Sequence, residues 1–183
     1  MASPPTVPAA EIHAALARLA AAIRQRHAGE DRLLLLGIAN GGVPVARRIA
    51  AELARAAATK HGPPGPAISA GALDISFHRD DIGRHPIPKE FTPTLLPGDV
   101  NGATVILVDD VLFTGRTVKA ALDELFDHGR PARVELAVLV DRDGRRLPVA
   151  ADFAGLTLAA GEHKKVVVAL DNDHPERDRI RIV

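Results

Sequence analysis

Two adjacent carboxylates, Asp109 and Asp110, close an apolar run that starts at Val105, and a Thr114-Gly115-Arg116-Thr117 turn follows. Ionised carboxylates are pure acceptors, so a neighbouring pair suits the two hydroxyls of a ribose diol. A Thr-Gly turn that opens a helix offers free backbone N–H groups and the positive end of the helix dipole to a phosphate. Thr114 and Thr117 add hydroxyl donors, and Gly115 lets the backbone approach closely. A diol acceptor directly before a phosphate cradle describes a sugar-phosphate site. The glycine spacing matches neither a Walker A loop nor a dinucleotide fingerprint, which argues against a nucleotide triphosphatase or a dehydrogenase.

Such a site needs a strand to deliver the acids and a helix to receive the phosphate. Val105 to Val108 reads as a buried strand, and Val118, Leu122 and Leu125 give helical spacing up to His128, with Gly129 as its stop. Upstream, Ile12, Leu16, Leu19 and Ile23 mark one face of a helix. Leu33 to Ile38 predicts a strand, and Pro44 to Ala58 predicts a helix with Val45, Ile49 and Leu53 inward. Ile68 to Phe77, Val134 to Val140, Val166 to Leu170 and Ile180 to Val183 complete the expected strands. The alternation of strands and helices predicts an α/β fold with a parallel sheet flanked by helices, where ligands sit at the carboxyl ends of the strands. His78 to Asn101 is rich in proline and charge and reads as a long functional loop. Nothing divides the 183 residues, so a single domain spanning 1–183 is expected.

Composition narrows the function classes. Lys+Arg and Asp+Glu both total 23, giving no basic excess for nucleic acid. With five Phe and neither Tyr nor Trp, no stacking platform for single strands is expected. The absence of cysteine removes disulfides and thiolate chemistry. No membrane span or signal peptide is recognisable, so a cytoplasmic location is expected. The eight histidines contain no His-x-x-x-His pair, so a zinc site is not expected, and His78 reads as a solvated loop residue. Asp80 and Asp81 are read as partners of loop cations such as Arg84.

The run Val105-Ile-Leu-Val-Asp-Asp-Val-Leu-Phe-Thr-Gly-Arg-Thr117 resembles the phosphoribosyl pyrophosphate signature of the type I phosphoribosyltransferases. Phe77-His-Arg-Asp-Asp81, Asp127-His-Gly-Arg-Pro131, Leu136-Ala-Val-Leu-Val-Asp-Arg142 and Leu147-Pro-Val-Ala-Ala-Asp-Phe-Ala-Gly155 are similar to the PyrR family, uracil phosphoribosyltransferases that also regulate pyrimidine operons. This resemblance implies a type I phosphoribosyltransferase core with a small hood, from roughly 1–15 and 141–183, and a mobile lid over roughly 78–101. It implies Mg²⁺ as cofactor, phosphoribosyl pyrophosphate and uracil as substrates, UMP as product, and a homodimer or larger assembly. Asp109 and Asp110 would hold the ribose hydroxyls. The donor site would run through Val111, Leu112, Phe113, Thr114, Gly115, Arg116 and Thr117. Ala39, Asn40, Gly41 and Gly42 would form the pyrophosphate loop, Arg79 would neutralise the diphosphate, and Val140, Asp141 and Arg142 would belong to the base hood. Asp171 is a candidate on the metal side.

Departures from the family carry expectations too. Where 6-oxopurine enzymes place an acid, this chain has Phe113, which disfavours purines and leaves uracil ahead of other bases. The family's Thr-Arg-Gly loop is Asn40-Gly41-Gly42 here, which removes a cation from the diphosphate site and predicts weaker donor binding or turnover. On the surface the family offers to RNA, Ala17, Ala21, Ala150 and Leu156 replace polar or basic residues, while Arg18 and Arg145 remain. Phosphate neutralisation drives RNA affinity, so RNA-binding regulation is the alternative function and is disfavoured.

Overall fold

The computed structural model describes residues 6–58, 66–78, 80 and 93–183. Arg79, Asp81, Arg84 and most of the expected lid lie outside the described residues.

The order is β1 (Thr6–Pro8), α1 (Ala9–Arg26), β2 (Arg32–Ile38), α2 (Gly42–Ala57), β3 (Ala67–Leu73), β4 (Thr104–Leu112), α3 (Arg116–His128), β5 (Arg133–Arg142), β6 (Phe153–Leu158), β7 (Val166–Ala169) and β8 (Arg179–Ile182). A five-stranded sheet runs β3-β2-β4-β5-β6 with every pairing parallel. A small antiparallel sheet, β1-β8-β7, forms the second layer of strands.

Consecutive leucines in β2 follow from this arrangement. Side chains alternate across a strand, and a parallel sheet is covered on both faces, so both sets must be apolar. Leu33 and Leu35 join Ile106, Val108, Ala137 and Leu139 under α1 and α2. Leu34 and Leu36 join Val105, Leu107, Leu136 and Val138 under α3. The α1 residues Ile12, Leu16, Leu19 and Ile23 are all buried, as their spacing predicts.

Several boundaries differ from the sequence reading. The strand expected over Ile68 to Phe77 ends at Leu73, and a turn covers residues 76–78. The chain then returns beside β3, where Ala72 and Leu95 exchange backbone hydrogen bonds at 3.0 and 2.8 Å. The small sheet takes only β1 from the N-terminal residues; α1 packs on the main sheet and on α2. β6 also belongs to the main sheet, so the hood-like layer is β1, β7 and β8 with their loops. β6 escaped the sequence reading because it is an edge strand whose Ala154 and Thr157 face solvent.

Candidate active site

Register brings the motif and the loop after β2 together. Leu36 pairs with Leu107 and Gly37 with Val108, so residues 39–42 emerge beside Asp109 and Asp110. α2 starts against the backbone of β4, and a Cβ on Gly42 would stand 2.0 Å from the carbonyl oxygen of Val108. No side chain fits there, which is why the loop carries glycine at that position. The Ala39–Asn40 peptide is cis.

A cavity of about 300 Å³ opens at this point, lined by Ala39, Gly41, Ile75, Asp80, Asp109, Asp110, Val111, Arg116 and Thr117. Three separate segments meet in it: the loop after β2, the end of β4 with the first turn of α3, and the chain just past β3. Its size falls within the range of small-molecule sites.

Asp109 is buried, and its Oδ1 accepts the backbone N–H of Asp110 at 3.0 Å. Burial pushes the Asp109 carboxyl well above the usual carboxylate range, and the charge of Asp110 adds to the rise. Burial raises Asp110 as well, opposed by hydrogen bonds to Asp109 and the Val111 backbone and by the positive charge of Lys165. Burial thus outweighs the charge of Lys165, and the pair favours holding a proton. Ligand hydroxyls donating to both carboxyls would favour the ionised forms.

Gly115 takes φ +93°, a left-handed conformation that favours glycine, and α3 begins at the next residue. The Thr114 carbonyl is held by the N–H groups of Arg146 and Leu147 at 3.1 and 3.0 Å, which fixes the turn. Thr114 Oγ1 accepts the Arg116 N–H at 3.3 Å. The first N–H groups of α3 have no carbonyl within the helix to bond, and Arg116 and Thr117 line the cavity. Arg116 pairs with Asp80 across that mouth.

Other expected residues fall elsewhere. Leu112 and Val140 are core residues. Phe113 turns its ring onto the Arg142 guanidinium, 4.0 Å from ring centroid to Cζ. Arg142 is buried and donates to the carbonyls of Asp143, Lys164 and Gly161 at 3.1, 2.6 and 2.7 Å. It ties the β5–β6 connection to the loop before β7. Asp141 pairs with Arg145, whose guanidinium also donates to the Phe113 carbonyl. Asp171 lines a separate, more open cavity with Leu170, Asp173 and Arg177. Its carboxylate accepts the N–H groups of Asp173 and His174 at 3.0 and 2.9 Å, and these bonds hold it below the usual range against the small opposing effect of burial.

Ile75 and Asp80 line the donor cavity and Lys165 acts on Asp110 through its charge, and none of the three was among the residues expected there. Asp80 pairs with Arg116. Lys165 sits just before β7, and no spacing in the sequence relates it to the acid pair. Only the folding of the small sheet toward β4 brings its charge to Asp110.

A family model described as phosphoribosyl transferase domain matches residues 8–173. The bifunctional protein PyrR of Chloroflexus aurantiacus is 48% identical over 161 residues, covering 87% of this chain and 84% of that protein. The protein of the same name from Leifsonia xyli is 46% identical over 159 residues, with 87% and 85% covered. That of Herpetosiphon aurantiacus is 44% identical over 174 residues, with 94% and 93% covered. Among solved structures, a hypoxanthine phosphoribosyltransferase of Staphylococcus aureus aligns at TM-score 0.64 and 19% identity, covering 90% of this chain and 81% of that one. The hypoxanthine phosphoribosyl transferase of Trypanosoma cruzi aligns at TM-score 0.67 and 18% identity, covering 99% and 91%. At such identity these two speak for the fold alone. The type I core, the acid pair beside its phosphate turn and the close PyrR relatives agree: the chain belongs to the phosphoribosyltransferases and, within them, to the PyrR family.

Proposed function

We propose that this chain transfers phosphoribose from phosphoribosyl pyrophosphate to uracil, forming UMP and pyrophosphate. The observation that carries the reading is the meeting of Asp109, Asp110, Gly41, Arg116 and Thr117 around one cavity. Asp109 and Asp110 accept the ribose hydroxyls. Thr114, Gly115, Arg116 and Thr117 hold the 5-phosphate through N–H and hydroxyl donors. The backbone of Ala39, Asn40, Gly41 and Gly42 faces the diphosphate, with Arg79 as its cation. Val111 lines the cavity between the acids and the turn, backed by Leu112 and Phe113. The strand end Val140, Asp141 and Arg142 supports the base side, Arg142 by bracing the loop that precedes Lys165.

The acid end of the cavity offers oxygen donors only, which fits Mg²⁺, an ion that keeps waters and ligand oxygens about it. Asp109 and Asp110 would hold it together with oxygens of the donor. Both loop N–H groups bond Asp171 Oδ1, and Asp171 is kept as the weaker candidate on the metal side. When bound, Mg²⁺ supplies positive charge that offsets the charge on departing pyrophosphate. The chain itself positions the ribose and excludes water.

Uracil is favoured by the PyrR relatives and by Phe113, whose ring is committed to Arg142 and offers a purine no acid. The test is to incubate protein, Mg²⁺ and donor with uracil, hypoxanthine, guanine and orotate separately and to follow nucleotide formation. UMP is the expected product, and its absence alongside another nucleotide would overturn the choice of base. A second reading, a UMP-sensing RNA-binding regulator, is favoured by the word bifunctional in the relatives' name. Its test is salt-dependent binding to a pyrimidine-operon leader, strengthened by UMP.

A further inference from the structure

Among the described residues, a cluster of metal-ligating side chains lies outside the donor cavity. His78 stands in the turn after β3. Glu124, Asp127 and His128 share one face of α3, at the i, i+3 and i+4 spacing that makes helix positions neighbours. His78 Nε2 lies 3.2 Å from Glu124 Oε2 and 3.3 Å from Asp127 Oδ2. One nitrogen and two carboxylate oxygens, each from a different residue, all fall within 4.8 Å of one another.

Those distances separate two explanations. A charge-assisted hydrogen bond from a ring N–H is about 2.7–2.9 Å long and points along one direction. Here the nitrogen faces two oxygens almost equally and at greater length. Around a tetrahedral ion with bonds of about 2.0–2.2 Å, neighbouring ligand atoms stand about 3.3–3.5 Å apart. Both separations from His78 fall close to that edge length. The Glu124 carboxylate is also held in place. Thr94 donates its hydroxyl to Oε1 at 2.7 Å, and His128 Nε2 reaches the same oxygen at 3.0 Å, so Oε2 is the one turned to His78. Metal ligands oriented this way are the common case.

We propose that His78, Glu124 and Asp127 bind a divalent transition ion, Zn²⁺ by this mixed nitrogen and carboxylate donor set, with water as the fourth ligand on the exposed Asp127 side. An imidazole ligand separates this site chemically from the oxygen-only Mg²⁺ site. The ion joins the turn after β3 to α3. Asp80, which lines the cavity and pairs with Arg116, is two residues from His78. The site does not depend on which base the enzyme uses.

The experiment uses the full chain, stripped by chelator and kept in excess Mg²⁺. Co²⁺ is added and its visible d–d bands followed, then Zn²⁺ binding is measured by calorimetry. One equivalent of each is expected, Zn²⁺ displacing Co²⁺, with a rise in Tm on Zn²⁺ addition. His78→Ala and Glu124→Gln should each weaken Zn²⁺ by about 10-fold or more. His163→Ala should leave it unchanged. Glu124→Gln keeps an acceptor for Thr94 and His128, so it reads the metal even if His78→Ala fails to fold. No bound equivalent in the parent chain, or unchanged affinity in a folded Glu124→Gln, would overturn the assignment.

Discussion

Asp109 is the residue where stability and chemistry pull apart. Its carboxyl is raised by burial and by Asp110, so it binds its proton more tightly folded than unfolded. A group of this kind favours the folded state most at low pH. Its contribution is lost as pH rises from the unfolded carboxylate value through the folded one. Asp109→Asn removes the titration and keeps an acceptor for the Asp110 N–H. The expected outcome is a higher Tm than the parent at pH 8, a flatter dependence of stability on pH, and turnover reduced about 100-fold or more. A Tm unchanged at every pH would count against the burial argument. The same directions predict that donor binding releases protons and tightens as pH rises, which calorimetry in buffers of different ionisation enthalpy would detect.

Gly41 is a second residue-scale case. A Cβ there would meet the Asp110 Cγ at 2.6 Å and both of its carboxylate oxygens at 2.7 Å. That end of a side chain can swing, so the substitution folds but moves an acid. Gly41→Ala should therefore cost roughly 10-fold in kcat/KM, an effect of about 1.4 kcal/mol. Gly41→Arg adds the missing cation on the same displaced geometry, so its KM for the donor should fall below that of Gly41→Ala. Equal donor KM values in the two variants would show that charge in this loop is unimportant.

At the scale of elements, the small sheet is fastened to the helical layer through Asp178. This buried carboxylate accepts the Asp171 N–H at 2.7 Å and faces His13 Nε2 at 2.9 Å and Arg48 at 3.4 Å. Arg48 also donates to the Asp171 carbonyl at 2.6 Å. One side chain therefore joins α1, α2 and the loop entering β8. Asp178→Ala leaves the Asp171 N–H without its acceptor and the half-buried Arg48 with only the Asp171 carbonyl, a loss of about 2 kcal/mol by urea unfolding. Because Lys165 and the paired strands β7 and β8 move with that loop, turnover should fall as well. Full activity with lowered stability would separate the small sheet from the acid pair.

For the whole molecule, the balance of charge bears on partners. Of the cations on the surface where RNA contact was expected, Arg18 donates to the Gly155 carbonyl at 3.0 Å and Arg145 is engaged by Asp141 and Phe113. With no net charge, leader RNA binding is expected to be weak at physiological salt and to show a shallow salt slope. Tight binding at 50 mM salt that falls steeply by 200 mM would contradict this expectation. Among the described residues no helix is long and apolar enough to cross a membrane. A homodimer or larger assembly is our expectation for the free protein, to be read from light scattering.

The sequence by itself determined the parallel α/β core and the acid pair with its phosphate turn. These are local: strand periodicity, two adjacent carboxylates, and a glycine that opens a helix all lie within one short stretch of chain. The likeness to PyrR proteins was equally legible, because it rests on contiguous words such as Asp127 to Pro131. Tertiary structure decided what depends on separations across the chain. It set Asp110 over Gly41, turned Phe113 and Arg142 onto each other, and brought Lys165, just before β7, to the acids from beside another sheet. It also gathered His78 with Glu124 and Asp127, which no spacing announces because one ligand comes from a turn and two from a helix. Burial made the acid pair proton-holding, and burial is a property of the packed molecule that adjacent letters do not carry.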